Sequence, residues 1–448
     1  MVKKIRLLDI HVFVILSLFF MGSFLITPIR SDIKHKNGLI FTQIWNITVG
    51  GSSSEEAYSI FVSGSTIYFS GYTYSYGVGI SNQDVYVVKM DNNALGWNKT
   101  WGGGASDSAY GIAVYGNNIY LCGYTYSYGE GSSDILVIKY DSNGKKMWNI
   151  TWGTNETDRG TDVAIDKNGN IYVVGYGLAH TSEKYDVVLQ KYSSDGTLVW
   201  TKYWGGTDDD ISKSIFIDNE GYIYVTGYTG SYGAGLYDAF ILKYDASGEL
   251  LWNKTWGYSG YDHGEDIAVD GDIYVVGSTI NSAGEVSVVV IKYDKDGNQM
   301  WNTSWGGMYS DYGYGLCASG DSLYVTGKTA SYGVGKNDIF LLKCSKEGNI
   351  LGYTTWGGSE DDIGYDVVVD SGYICVVGST NSYGNGAKDI VIIKYSESAE
   401  GTGGGASETI SSTGWEQIVS GESLILIAVS IIVLGVVVVF IIMLKRKS

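Results

Sequence analysis

Proline is almost absent from this chain of 448 residues, occurring once, at Pro28. Arginine is nearly as scarce, with Arg159 alone between Arg30 and Arg446. Acids outnumber Lys and Arg by 48 to 30, a net charge of −18. So acidic a surface repels a phosphate backbone, so nucleic acid is not an expected partner, whereas cations and basic protein patches are compatible. Beyond the N-terminal segment histidine is confined to His180 and His263, leaving no HExxH motif and no Ser-His-Asp spacing. Adjacent acids such as Asp209-Asp210 and Asp361-Asp362 read as solvated pairs, and catalysis is not the expectation. The four cysteines (Cys122, Cys317, Cys344, Cys375) show neither CxxC nor metal-ligand spacing. They read as small core hydrophobes, with a disulfide between neighbouring repeats as the alternative. Between the termini there is no long amphipathic helical pattern.

Glycine (63) and tyrosine (38) are what the chain has in abundance, a mix suited to short strands joined by tight turns. The mix is periodic. A tryptophan recurs at Trp101, Trp152, Trp204, Trp256, Trp305 and Trp356, with Val49 in its place at the start, at intervals of 49 to 52 residues. A period near 50 marks a repeat architecture. In the second copy the pattern predicts strands at 109–114, 119–123, 135–140 and 146–152, separated by glycine-bearing turns. Strand interiors such as Ile135-Leu136-Val137-Ile138 are apolar throughout, which implies burial on both faces.

Each unit therefore reads as one blade of a β-propeller. The glycine ending the second strand (Gly71, Gly123, Gly175, Gly227, Gly277, Gly327, Gly378) and the lysine ending the third (Lys89, Lys139, Lys191, Lys243, Lys292, Lys343, Lys394) both number seven. The last copy stops after Tyr395 without a fourth strand, while residues 41–48 form an orphan fourth strand at the start. Pairing the two closes the ring and removes the open sheet edges. The expected fold is all-β: a seven-bladed propeller of four-stranded blades over residues 38–396, plus terminal hydrophobic helices.

Both ends point to a membrane. Residues 1–30 carry Lys3, Lys4 and Arg6 ahead of an apolar run, the pattern of a signal peptide or, uncleaved, a signal anchor. Residues 397–421 read as a Gly/Ser-rich stalk and 422–444 as a transmembrane helix. The uncharged stretch 424–444 would span about 31 Å, roughly one hydrocarbon core. The basic tail 445–448 marks the cytoplasmic side, so the expected localisation is the cell membrane with the propeller outside.

The recurring pattern is a strand ending Gly-Tyr-Thr, then Asp-x-x-(Val/Ile)-x-Lys-Tyr, then Asp-x-x-Gly-x-x-x-Trp-x-x-x-Trp-Gly-Gly. Over residues 41–395 it resembles the bacterial and archaeal SBBP β-propeller repeat family. That resemblance implies a propeller in exported or surface proteins and leaves the biochemical role unassigned. The Asp-x-x-Gly-x-x-x-Trp segment also looks like the tryptophan-docking motif of quinoprotein dehydrogenases, but those typically have eight blades, and no cofactor site is matched.

Loops alternate between propeller faces, so the fourth-to-first and second-to-third loops share one. The first carries an acid in every copy: Glu55, Asp107, Asp158, Asp210, Asp262, Asp311 and Asp362. The second carries Ser-Tyr-Gly-x-Gly in five, with Tyr76, Tyr128, Tyr232, Tyr332 and Tyr383. Both sets are expected to ring one end of the channel, beside small residues (Ala109, Gly160, Gly264, Gly313, Gly364). Tyrosine faces suit sugar rings or protein anchors, and clustered carboxylates suit Ca²⁺. The alternative is local: each acid caps its own loop and each tyrosine covers its blade. Departures from the repeat at 179–183, around His180, and at 282–284 suggest a site biased toward blades 1, 3 and 5. Asn46, Asn98, Asn149, Asn155, Asn253 and Asn302 lie in Asn-x-Ser/Thr, and the edge strands would offer them for N-glycosylation. The functional expectation is a membrane-anchored binding or adhesion module for an extracellular protein or polysaccharide. An exported enzyme with its site at the channel mouth and a structural envelope component are the alternatives.

Overall fold

In the computed structural model, the described residues are 39–78, 82–178, 184–280 and 284–399. The expectations for the signal segment, the stalk beyond 399, the membrane helix, His180 and Ser282 fall outside them. Among the described residues no helix is long and apolar enough to cross a membrane.

The described residues form 28 strands in seven four-stranded antiparallel sheets, six of which meander in sequence order from the channel outward. Blade 1 runs from Glu55 to Trp101, blade 2 from Asp107 to Trp152, blade 3 from Arg159 to Trp204 and blade 4 from Asp210 to Trp256. Blade 5 runs from Asp262 to Trp305, and blade 6 from Asp311 to Trp356. Blade 7 is composite. Its three own strands (Asp362–Asp370, Tyr373–Thr380, Asp389–Ala399) are completed by Leu39–Val49, paired from Val49↔Ile390 to Leu39↔Ala399. Pairing continues to Ala399, so residues 397–399, expected in the stalk, belong to the third strand of blade 7.

The apolar strand interiors pack between blades. Seven buried clusters each draw on two neighbouring blades, such as Val85 and Val87 against Leu121 and Ile138, or Ile47 and Ile390 against Phe69 and Val88. Seven blades with seven junctions close the ring. Each sheet is buried on both faces, which is why its middle strands carry no polar alternation.

At the outer junctions, the turn between third and fourth strands docks on the preceding blade's first tryptophan. Trp97 Nε1 donates to Ser142 O (3.1 Å) and Trp301 Nε1 to Lys346 O (3.2 Å). The turn glycine sits on the indole: Gly144 has φ +77°, and a Cβ there would meet Trp97 at 2.9 Å, so both backbone and space require glycine. The lysine ending the third strand reaches forward to the next blade, as Lys139 Nζ does to Ser194 O (3.1 Å) and Lys191 Nζ to Ala246 O (3.2 Å). The docking motif thus ties blades together here.

The small first-strand residues also serve the junctions and not the channel rim. A Cβ on Gly313 would lie 2.8 Å from Val276 Cγ2 of the preceding blade, and Gly160 and Gly364 abut Cys122 and Thr326 of theirs. All four cysteines are free; Cys122, Cys344 and Cys375 are buried and Cys317 partly so. Of the six sequon asparagines, five are exposed, but Asn46 is only 1% exposed, being enclosed in the closing strand, so it is not available for glycosylation in the folded ring.

Candidate functional site

The seven repeated acids are each fully buried at the start of a first strand. Asp107 shows the arrangement. It accepts from Gly103 N (3.0 Å) in the fourth-to-first loop, from Thr125 Oγ1 at the end of the second strand, and from Ser127 Oγ (2.6 Å) in the second-to-third loop. Asp210 and Asp311 bind Thr229 and Ser231, and Thr329 and Ser331, in the same way. One carboxylate thereby stitches the two loops together where the strand pairing ends. Among the described residues no three acid, histidine or cysteine side chains converge as a metal site.

The five loop tyrosines lie on the same face but away from the channel. Each hydroxyl donates to a glycine carbonyl of the adjoining loop: Tyr76 to Gly50 (2.6 Å), Tyr128 to Gly102 (3.2 Å), Tyr232 to Gly205 (2.7 Å), Tyr332 to Gly306 (2.8 Å) and Tyr383 to Gly357 (3.1 Å). Four rings rest on an edge-strand tryptophan of the preceding blade, Tyr128 on Trp101 at 5.0 Å among them, and Tyr76 stacks on Tyr86. Tyr76, Tyr128 and Tyr232 still expose more than two fifths of their surface.

The channel is lined instead by a position that pattern reading passed over. In every first strand the pairing to the second skips one residue: Tyr58, Tyr110, Thr161, Lys213, Glu265, Tyr314 and Tyr365 in blades 1 to 7. A bulge of this kind re-aims a side chain, and all seven line one central cavity of about 350 Å³. The lining is two-sided. Tyr314, Tyr365, Tyr58 and Tyr110 form a chain of rings across blades 6, 7, 1 and 2, with centroids 5.9, 4.9 and 4.9 Å apart. Thr161, Lys213 and Glu265 face them. Lys213 Nζ lies 3.1 Å from Glu265, whose other oxygen is 3.7 Å from His263 Nδ1. Burial works to lower the Lys213 ammonium, but the Glu265 charge and hydrogen bond, together with Tyr228 and Tyr176, outweigh it and hold the group above its ordinary range. Burial works to raise Glu265, and Lys213 and His263 together hold it below the usual carboxylate range.

The next residue along carries the braces. Asp162 of blade 3 accepts from Ile215 N of blade 4 (3.1 Å), Asp266 of blade 5 from Leu316 N of blade 6 (2.7 Å), and Asp366 of blade 7 from Ile60 N of blade 1 (2.9 Å). Burial pushes Asp162 up to about 7. Asp266 is raised by burial and then by the Asp366 charge, and Asp366 is itself raised by burial.

A second cavity of about 350 Å³ opens beside the first, between blades 3, 4 and 5. Its walls are Tyr176 and Tyr185, then Asp209, Ile211, Tyr228 and Tyr237, then Tyr261 and His263. His263 stacks on Tyr228 at 4.3 Å and Tyr261 on Tyr237 at 5.7 Å. Tyr176, Ile211 and Tyr228 border both cavities, so the two form one mouth.

Fold and site together define a propeller with an aromatic and charged cavity at the centre of the ring. The SBBP beta-propeller repeat family matches residues 151–180 and 199–233, from the end of blade 2 into blade 4. The chain is a seven-bladed β-propeller, and these two stretches are similar to the SBBP repeat. It is 25% identical over 177 residues, 34% of its length, to the regulatory protein FlaEY of Caulobacter vibrioides. It is 26% identical over 200 residues, 35% of its length, to an uncharacterized WD repeat-containing protein of Acanthamoeba polyphaga mimivirus. Those matches span only 19% and 14% of the relatives' own lengths. Among solved structures, the WD40 propeller domain of Doa1 aligns with a TM-score of 0.49 at 10% identity, over 78% of this chain and 95% of that one. The propeller domain of the Pyrococcus furiosus Trilobed protease aligns at 0.47 and 12%, over 78% and 97%. At that distance the case for the fold rests on the blades themselves.

Proposed function

We propose that this propeller is a binding module that takes a side chain or sugar of its partner into the channel mouth. One observation carries the reading: the repeat is kept where blades touch and abandoned where side chains face the channel. Acids, docking tryptophans and clamp lysines recur from blade to blade, whereas the bulged position reads Tyr, Tyr, Thr, Lys, Glu, Tyr, Tyr. Structural needs are the same in every blade and would select one residue there. An aromatic arc facing an ion pair suits a ligand with one flat or apolar face and one polar edge. The exposed edges of Tyr76, Tyr128 and Tyr232 enlarge the same face for a macromolecular partner, an extracellular protein or polysaccharide.

The reading includes anchorage by residues 422–444, with the propeller outside the cell. Its support is the apolar run and the basic tail after it. Alkaline carbonate washing should leave the protein in the membrane pellet, and protease added to intact cells should remove the propeller; release by carbonate would refute the anchorage.

The binding test is an array of glycans and peptides probed with the full chain in mild detergent, alongside a Thr161→Trp variant that fills the cavity. Saturable binding without turnover, lost in the variant at unchanged melting temperature, is the expected result. Turnover of a bound compound would make the mouth an active site, and binding indifferent to the plug would place the contact elsewhere.

A further inference from the structure

The cavity between blades 3, 4 and 5 has a counterpart within the chain that shows what such a niche holds. At the junction of blades 2 and 3 the corresponding first-strand residue is Arg159. Its guanidinium lies 4.4 Å from the ring centre of Tyr124 and donates to Tyr126 OH (2.6 Å). The two junctions are built alike: Ser133 bridges Thr157 in parallel at one, and Tyr237 bridges Tyr261 at the other. Tyr124 corresponds to Tyr228 and Arg159 to His263. At the second junction the imidazole lies flat on Tyr228, the small pair Ser133 and Thr157 is replaced by two stacked tyrosines, and the space beside them is open. Ring faces attract cations most strongly where water is partly excluded.

We propose that this cavity binds an arginine side chain carried on a basic segment of a partner protein. The inference rests on the binding-module reading and names the kind of partner. Tyr237 and Tyr261 offer ring faces to the guanidinium plane. Asp209 lines the same cavity, holding the backbone of Tyr185 through Oδ1 (Tyr185 N donating, 3.0 Å), and supplies the opposing charge. A fork of N–H donors meeting a carboxylate is the stronger form of such a contact. Two cations lie near: Lys184 is engaged with Asp208 at 3.4 Å, and Lys213, 5.7 Å over the ring of Tyr228, with Glu265 at 3.1 Å. The net charge of −18 draws a basic segment toward this face and repels acidic competitors.

The test is calorimetric titration of the full chain with N-acetyl-arginine amide and with its neutral twin, N-acetyl-citrulline amide. The arginine compound should bind in roughly the millimolar range and the citrulline compound about tenfold more weakly, as expected on losing a charge-assisted contact. Asp209→Asn, which keeps an oxygen for Tyr185 N, should weaken arginine binding by about fivefold or more. Glu220→Gln removes the same charge from an exposed turn on the other face and should change nothing, separating a local contact from general attraction. Melting temperatures establish that both variants fold. Equal affinity for the two compounds, no binding of either, or indifference to Asp209→Asn overturns the inference. The broader reading then still stands or falls on the array and the Thr161→Trp plug, which probe the central cavity.

Discussion

Replacing Asp162 by Asn should flatten the dependence of stability on pH, because this carboxyl is easier to protonate in the folded ring than in the unfolded chain. Folding lifts it from 3.8 to about 7, mainly by burial, against the pull of Ile215 N, Val163 N and Ser214 Oγ. Between those values the native state holds more protons than the unfolded one. The stability this group contributes is therefore present at low pH, falls as pH rises through the window, and is gone above it. A shift of that size corresponds to about 4 kcal/mol in all, of which about 2.5 kcal/mol falls between pH 5 and pH 8. Channel water reaches part of the side chain, so the larger figure is an upper bound. Asn cannot ionise, keeps one oxygen for the facing backbone, and removes a charge that also raises Asp266. Urea denaturation of both proteins at pH 5 and pH 8 is the assay. The wild type should lose about 2 kcal/mol more than Asp162→Asn over that interval. Parallel losses would refute the assignment of a neutral, bracing carboxyl in the channel.

Two further outcomes follow from the same structure. Because each of the seven repeated acids is enclosed by its own loops, millimolar Ca²⁺ should leave the melting temperature unchanged; a native-state site filled to 100 times its Kd would add about 2.7 kcal/mol, and a rise of several degrees would return those acids to candidate ligands. Deleting residues 39–49 should leave Asp389–Ala399 as an open 11-residue edge, so light scattering should detect association that the intact chain does not show; a monomeric, normally melting deletion would contradict closure by that strand.

How much of this could be read in the sequence depends on whether a feature repeats. The blades were legible because Trp101, Gly123, Lys139 and their equivalents recur at one period. The composite blade followed from an orphan strand at one end and a missing one at the other, with bounds short by a few residues where pairing runs on to Ala399. The candidate site was largely hidden for the same reason. Asp107 and Tyr128 attracted notice through repetition, and their repetition reflects loop stitching and blade cover. Tyr58, Tyr110, Thr161, Lys213, Glu265, Tyr314 and Tyr365 share a position but not a residue type, and they sit on a bulge that alternation cannot reveal. Aligning the seven copies and asking which first-strand column varies would have found them. The braces Asp162, Asp266 and Asp366 fall on every second blade and escape a search for a signal in all seven.

The central claim is that partners are taken at the channel mouth and not on the outer edge strands, where Met147, Val199, Leu251 and Met300 are also exposed. Hydrogen–deuterium exchange of the full chain, with and without a compound that binds it saturably, tests this most directly. The account predicts new protection in the first strands of blades 3, 4 and 5 (Arg159–Ile165, Asp210–Ile217, Asp262–Asp270) and none in Lys146–Trp152 or Leu250–Trp256. Protection confined to those outer strands would contradict it.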